Sequence, residues 1–218
     1  MIETLKKRYQ RSRLKNQDFA FLFDEPLEEE FVSFDCETTG LDVKKDEILS
    51  IGAVKLINDK IELSESFERF VSPENHICEE SIKIHHIRPC DIENSIDAKI
   101  AIEEFLHFIG NRTLIGYYIQ FDIAMINKYA KKLIGTTIPN KSIELSNMYY
   151  KRYKKESSHE FVDLKFDTIM EKLNLPKLGQ HDALNDAVMS GMMYLKLKDM
   201  PEYKVEFRYL KFILKLHW

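Results

Sequence analysis

Phe31-Val32-Ser33-Phe34-Asp35-Cys36-Glu37-Thr38-Thr39-Gly40 runs an apolar stretch straight into two carboxylates two residues apart, and its reading decides the fold. The spacing predicts a buried strand that ends in a polar Thr-Gly turn. Alternate side chains of a strand share a face, so Asp35 and Glu37 point one way while Val32, Phe34 and Cys36 point into the opposite layer. Two carboxylates held that close repel unless a cation neutralises them, and hard oxygen ligands suit Mg²⁺ or Mn²⁺. The alternative is a strand that simply ends in a polar turn, because an Asp-x-Glu pattern is short.

Two further segments bear on that choice. His181-Asp182-Ala183-Leu184-Asn185-Asp186-Ala187 opens a stretch with apolar residues at helical spacing (Ala183, Leu184, Ala187, Val188, Met192, Leu195), which puts Asp186 on the flank of a helix and His181 at its start. Phe121-Asp122 follows the apolar Leu114-Ile115-Gly116-Tyr117-Tyr118 and precedes a second amphipathic run, so Asp122 falls at a strand-to-helix junction. Singly, each acid could be a helix cap and the histidine an ordinary surface residue. Together they place four acids from three separated segments beside one histidine five positions before the last acid.

Between these segments, 47–57 and 61–71 read as strands that follow the first closely enough for an antiparallel meander. A helix near 97–109, a strand at 112–117 and a weaker strand at 142–146 complete the pattern. Residues 148–165 mix tyrosines with Lys151, Arg152, Lys154 and Lys155, a combination that suits either a base-stacking surface or a plain surface helix. Residues 1–29 divide into a basic helix-like segment (Lys6, Lys7, Arg8, Arg11, Arg13, Lys15), an aromatic cluster (Phe19, Phe21, Phe23) and an acidic hinge, and read as an appendage. From Pro201 to Trp218 the helical period places Lys204, Arg208, Lys211 and Lys215 on one face, a basic stripe amid apolar residues. Such stripes are solvated faces more often than binding surfaces.

Composition bounds the function class. The chain of 218 residues carries 44% hydrophobic and 31% charged residues, as an ordinary single globular domain does. The basic first residues lack the apolar core of a signal peptide and no later stretch is long enough to cross a bilayer, so no membrane role is expected. Three cysteines without CxxC spacing argue for reduced thiols, against a disulfide framework or zinc site, and for a cytoplasmic address. A formal net charge of −4 excludes indiscriminate coating of nucleic acid and leaves a local grip on a strand end.

The pattern F-D-x-E-T-T-G … F-D … H-x-A-L-x-D-A resembles the DEDDh branch of the DEDD exonuclease superfamily, and within it the proofreading (epsilon, DnaQ-like) subunits of bacterial DNA polymerase III. The resemblance runs from about Glu30 to Lys198 and takes in Asp46-Glu47-Ile48-Leu49-Ser50-Ile51-Gly52-Ala53-Val54 and Ile84-His85-His86-Ile87. It implies an α/β, ribonuclease H-like fold: a mixed five-stranded sheet flanked by helices over 30–198, outside which lie 1–29 as an N-terminal extension and 199–218 as the C-terminal helix read from its period. It also implies two divalent ions, Mg²⁺ or Mn²⁺, with Asp35 bridging both, Glu37 and Asp186 completing the site of the attacking water, and Asp122 supporting the second ion. His181 is the implied general base, since a neutral imidazole can take a proton at working pH.

By the same resemblance Thr38, Thr39 and Leu41 pack against the terminal nucleotide with His85 nearby, and the implied reaction is release of nucleoside monophosphates from a DNA 3′ end in proofreading or repair. The implied partners are that 3′ end, single-stranded DNA in preference to RNA, and a DNA polymerase or replication complex. Three places depart from the family pattern: Tyr117-Tyr118 replaces a His-Asn pair, His86 replaces the glycine of I-H-G-I, and Ile143-Glu144-Leu145 replaces an Asp-Thr pair. At least one ring of Tyr117 and Tyr118 is expected to support substrate, the alternative being that both close the core beneath Asp122. Rival readings are a 3′–5′ exoribonuclease of the ribonuclease T or oligoribonuclease type, a haloacid-dehalogenase-type phosphatase, and a non-catalytic polymerase-associated subunit. The Glu-Thr-Thr-Gly form leans toward the DNA-directed branch, the phosphatase reading leaves Asp122 and His181 without roles, and the complete set of five residues disfavours the non-catalytic one.

Overall fold

A computed structural model describes residues 2–75, 77, 79–153, 161–179 and 181–202. Five strands, β1 (Glu30–Thr38), β2 (Ile48–Ile57), β3 (Lys60–Phe70), β4 (Thr113–Gly116) and β5 (Ser142–Glu144), form one sheet in the order β3-β2-β1-β4-β5. The first three make the antiparallel meander, while β4 pairs parallel to β1 and β5 parallel to β4. This is the mixed sheet the sequence predicts, with boundaries within a few residues of those read from periodicity.

The two faces of β1 sort as its alternation requires. Val32, Phe34 and Cys36 enter a core with Ile102, Phe105 and Leu106 of α3 (Ala98–Ile109) and Met125 and Ile126 of α4 (Gln120–Ile134). Phe34 and Phe105 meet with ring centroids 5.1 Å apart. On the opposite face the Ser33 hydroxyl donates to the Ala187 carbonyl of α7 (Ala183–Leu197) at 2.7 Å, and Phe31 meets Tyr194 at 4.9 Å. α5 (Leu145–Tyr153) and α6 (Phe166–Lys172) complete that layer around Leu145, Tyr149, Ile169 and Met170.

Local chemistry sets the ends of these helices. The Asp97 side chain accepts from the Lys99 N–H to open α3, and Asp182 accepts from the Asn185 N–H to open α7. α4 stops at Gly135, whose φ of +83° suits a residue without a side chain and whose N–H returns to the Lys131 carbonyl.

Two segments pack differently from their reading in the sequence. Residues before 30 are not a detached appendage: Phe19, Leu22 and Phe23 of the 3₁₀ turn 17–23 are buried in the core beside α3, where Phe19 meets His107 at 5.0 Å. The basic segment forms α1 (Ile2–Ser12) ahead of it, and α2 (Glu79–His85) lies between β3 and α3. In α5, Tyr149 and Tyr150 are buried, and Arg152 donates to the Leu197 carbonyl at 2.6 Å and pairs with Glu202 at 3.1 Å. Those aromatics therefore serve the core under α7 and are not an exposed stacking surface. Lys154 and Lys155, the C-terminal basic stripe Lys204–Lys215 and Cys78 lie outside the described residues. Among the described residues no helix is long and apolar enough to cross a membrane.

Candidate active site

The C-terminal end of β1 opens into a cleft of about 760 Å³, and all four acids and His181 line it. Asp35 and Glu37 project from alternate positions of β1 toward the α7 face, Asp122 stands in the first turn of α4, and Asp186 in the first turn of α7. The β1–β2 ladder shifts register between Glu37 and Thr38, so the pairing is irregular where the second carboxylate emerges.

A glycine brings α7 close to that pair. Gly52 of β2 lies directly across the ladder from Asp35, and a Cβ there would fall 2.1 Å from the Ala183 carbonyl carbon and the Leu184 nitrogen. Only a residue without a side chain lets the first turn of α7 lie against the sheet and carry Asp186 to the acids of β1. On the other side of β1, the Cys36 N–H donates to Asp122 Oδ1 at 3.2 Å and ties α4 to the same strand. The His181 N–H donates to Asp186 Oδ2 at 3.2 Å, with His181 held at a φ of +59° on the turn before α7.

The electrostatics are those of crowded, unneutralised carboxylates. Burial, then the charges of Asp122, Glu37 and Asp186, hold Asp35 well above the usual carboxylate range. Glu37 is pushed up to about 7 by burial and the charges of Asp186 and Asp182, and Asp186 to about 6, chiefly by burial. Burial likewise raises Asp122, with Glu144 and Glu37 adding to it. Among the described residues no ion pair involves any of the four. Acids this close are stable in ionised form only beside a cation. Potential ligand atoms of Glu37, His181 and Asp186 lie within 4.8 Å of one another, so the donor set fits a divalent ion.

The remaining predicted positions divide. Thr38, Leu41, His85, Tyr117 and Tyr118 line the cleft, with Leu41 strongly exposed at its rim. Thr39 does not: its hydroxyl donates to Asp46 Oδ1 at 3.2 Å and accepts from the Glu47 N–H at 3.0 Å, closing the 39–47 loop. His85 is 3% exposed; its Nδ1 accepts from the Ile87 N–H at 3.0 Å and its Nε2 is buried without a partner among the described residues. Burial and the neighbouring His86 lower its basicity. His86 holds a φ of +57°, the left-handed conformation that a glycine adopts without strain, and its ring lies 6.4 Å from that of His181.

Tyr117 serves the core as well as the cleft. Its hydroxyl donates to the Leu164 carbonyl at 2.7 Å and its ring meets Phe166 edge-on at 5.1 Å. Tyr118, at a φ of +52°, packs on Tyr117 at 4.4 Å, and its N–H donates to Glu144 Oε1 at 2.9 Å. Glu144 lines the cleft too and accepts from the Ser146 N–H and hydroxyl at 3.1 and 3.0 Å, while burial raises its pKa. Sequence reasoning noted the altered Glu144 position but assigned it no role in the site. The signal was available in its place at the end of a strand parallel to the one carrying Asp35 and Glu37.

The exonuclease family model (RNase_T) matches residues 32–194. The chain is 34% identical over 174 residues to the PolC-type DNA polymerase III of Caldanaerobacter subterraneus subsp. tengcongensis, covering 78% of this chain and 12% of that one. It is 30% identical over 177 residues to the DNA polymerase III epsilon subunit of Aquifex aeolicus, covering 80% of this chain and 83% of that one. This chain therefore spans about an eighth of the PolC-type relative and most of the epsilon subunit. Among solved structures, cell-death related nuclease 4 shares the fold at a TM-score of 0.69 and 18% identity, over 80% of this chain and 65% of that one. E. coli exonuclease I, in complex with a dT13 oligonucleotide, does so at 0.66 and 14% identity, over 87% and 43%. With the matched region holding all four acids and His181 around one cleft, the chain belongs to the exonuclease family.

Proposed function

We propose that the protein is a divalent-metal-dependent 3′–5′ exonuclease that releases nucleoside monophosphates from the 3′ end of single-stranded or frayed DNA in proofreading or repair. The observation that carries this reading is the convergence of Asp35, Glu37, Asp122 and Asp186 in one cleft with, among the described residues, no cationic side chain paired to them. Asp35, Glu37 and Asp186 would hold one divalent ion, and Asp35 with Asp122 a second. Bound there, such ions supply charge neutralisation for the scissile phosphate and lower the pKa of water.

The chain's own groups do the rest. His181 stands on an exposed turn beside Glu37 and Asp186, where its imidazole can accept the proton of an attacking water. Leu41 and Thr38 form the wall against which a terminal nucleoside would rest, and Tyr118 offers a ring on the facing side. His85 Nε2, buried without a partner at the cleft, would gain one from a substrate oxygen. The DNA polymerase III names of the relatives support a place beside a polymerase or replication complex. The exonuclease I complex with an oligonucleotide supports a single-stranded substrate.

Purified protein incubated with 5′-labelled single-stranded DNA or RNA, with Mg²⁺, Mn²⁺ or chelator, tests this directly. The expected result is a one-nucleotide ladder descending from the 3′ end, faster on DNA and abolished by chelator. A metal-independent ladder, degradation from the 5′ end, or faster loss of RNA would overturn the corresponding part of the reading.

A further inference from the structure

The two elements that wall the cleft also wall a second groove. Leu41 of the 39–47 loop and Gln120 of α4 line the cleft, and one turn further along the same elements Val43, Lys44, Ala124, Lys128 and Lys131 line a groove that reaches Thr137. Gln120, Ala124, Lys128 and Lys131 follow one another at helical spacing on one face of α4, so the groove runs on from the cleft along that face. From Gln120 to Lys131 the helix rises about 16 Å at about 1.5 Å per residue, roughly five steps of a stacked strand at about 3.4 Å each.

Its far end meets the N-terminal basic segment. Gln10 Nε2 of α1 donates to Thr137 Oγ1 at 2.7 Å, and the Lys15 N–H donates to the Ile134 carbonyl at 2.9 Å. The Lys15 side chain then lies against Gly135, where a Cβ would come 2.6 Å from Lys15 Cγ, at the end of α4 one turn beyond Lys131. These contacts fix the segment ahead of the matched family region at the groove's far end, with Lys15 one turn beyond Lys131.

The charges are free to meet an anion. Lys44, Lys131 and Lys15 are exposed, and among the described residues none of the three forms an ion pair. The nearest acids are engaged: Asp46 accepts from the Asp42 N–H at 2.7 Å and the Thr39 hydroxyl, and Asp42 pairs with Lys45 at 3.5 Å. Lys128 has a different task, donating to the Asp46 carbonyl at 2.7 Å and so bracing the loop against α4. In a chain of net charge −4, a row of unpaired cations leading away from the acidic cleft is a local asymmetry suited to a phosphodiester backbone.

The geometry points to this groove as the track for the body of a single-stranded DNA substrate, its phosphates passing Lys44, Lys131 and Lys15 while the 3′ end sits among the acids. This assignment rests on the exonuclease reading above. It divides labour within the site: the cleft holds the reacting end, and the groove supplies length-dependent affinity.

The test uses the full chain with Lys15, Lys44 and Lys131 changed together to Gln, Lys128 being kept for its structural bond. Binding of a 5′-fluorescent 20-mer is measured in chelator across a salt series, and hydrolysis of the 20-mer and of a trinucleotide is measured with Mg²⁺. Each single-strand phosphate contact contributes about 0.7 to the log–log salt slope, so the variant's slope is expected to be shallower by about 2. Its kcat/KM on the 20-mer should fall about tenfold or more, with kcat on the trinucleotide unchanged. Equal slopes for wild type and variant, or no binding by either, overturn the groove assignment. A shallower slope in a pair of proteins that hydrolyse neither substrate would instead retain the groove as a DNA surface and overturn the exonuclease reading.

Discussion

Gly52 and Asp35 face one another across the β1–β2 ladder, and the missing Cβ of the first is what lets α7 carry Asp186 to the second. Gly52→Ala would drive a methyl group into the Ala183–Leu184 backbone, which has no flexible end to turn aside. The expected cost is about 1–3 kcal/mol of stability. Displacing the first turn of α7 by even about 1 Å should also lower turnover on the order of 10²-fold. Thermal denaturation and single-turnover rates measured together check both. Full activity in Gly52→Ala would show that α7 is not seated through this contact.

Asp35→Asn and Asp186→Asn should abolish turnover, because on the proposed reading each removes a metal ligand along with a charge. Neither should unfold the metal-free protein, since each relieves repulsion among neighbouring acids. Calorimetric titration with Mn²⁺ and a circular dichroism melt separate the two effects. Activity within a few-fold of wild type in either variant would remove that residue from the site.

His181→Ala is expected to slow hydrolysis by about 10²–10⁴ while leaving Mn²⁺ affinity and binding of the strand end in place. Loss of metal affinity with little change in rate would make His181 a ligand and not a base.

The metal-free protein should become less stable as pH rises. Glu37 and Asp186 have folded pKa values of about 7 and about 6 against ordinary values of 4.5 and 3.8, so between those limits the native state binds more protons than the unfolded one. Their contribution is therefore fully present below about pH 4, and is lost as pH climbs through about 6 to 7. Melting temperatures in chelator should fall over that window, and saturating Mg²⁺ should flatten the decline. A chelated protein whose melting temperature rises between pH 5 and 8 would contradict the crowding of these acids.

Tyr117 and Tyr118 should separate by readout. Tyr117→Ala loses a bond to the Leu164 carbonyl and a ring contact with Phe166, and is expected to cost stability. Tyr118→Ala should cost affinity instead, since base stacking is worth about 1–3 kcal/mol, or roughly 5- to 150-fold in KM. A Tyr118→Ala protein with wild-type KM and a lowered melting temperature would assign both rings to the core.

Much of this molecule is legible in its sequence because alternation and helical period are local properties. The apolar positions of 31–36 set which face of β1 is buried against α3 and α4, and therefore that Asp35 and Glu37 share the other one. The helix starts at Asp182 and near Gln120 place Asp186 and Asp122 in first turns, and the five residues of the motif line one cleft. Periodicity says which side of an element is buried, but not which element comes to cover it. That is decided by close packing between distant parts of the chain: α7 on Gly52, the Glu144 carboxylate beneath the Tyr118 N–H, Thr39 turned toward Asp46, and Tyr149 and Tyr150 under α7. The first 29 residues show the same limit. Their charge run reads as a solvated appendage, and only the burial of Phe19, Leu22 and Phe23 and the bond from Gln10 to Thr137 fix that run at the end of α4, because a charge's neighbours are set by the packing of the apolar residues beside it.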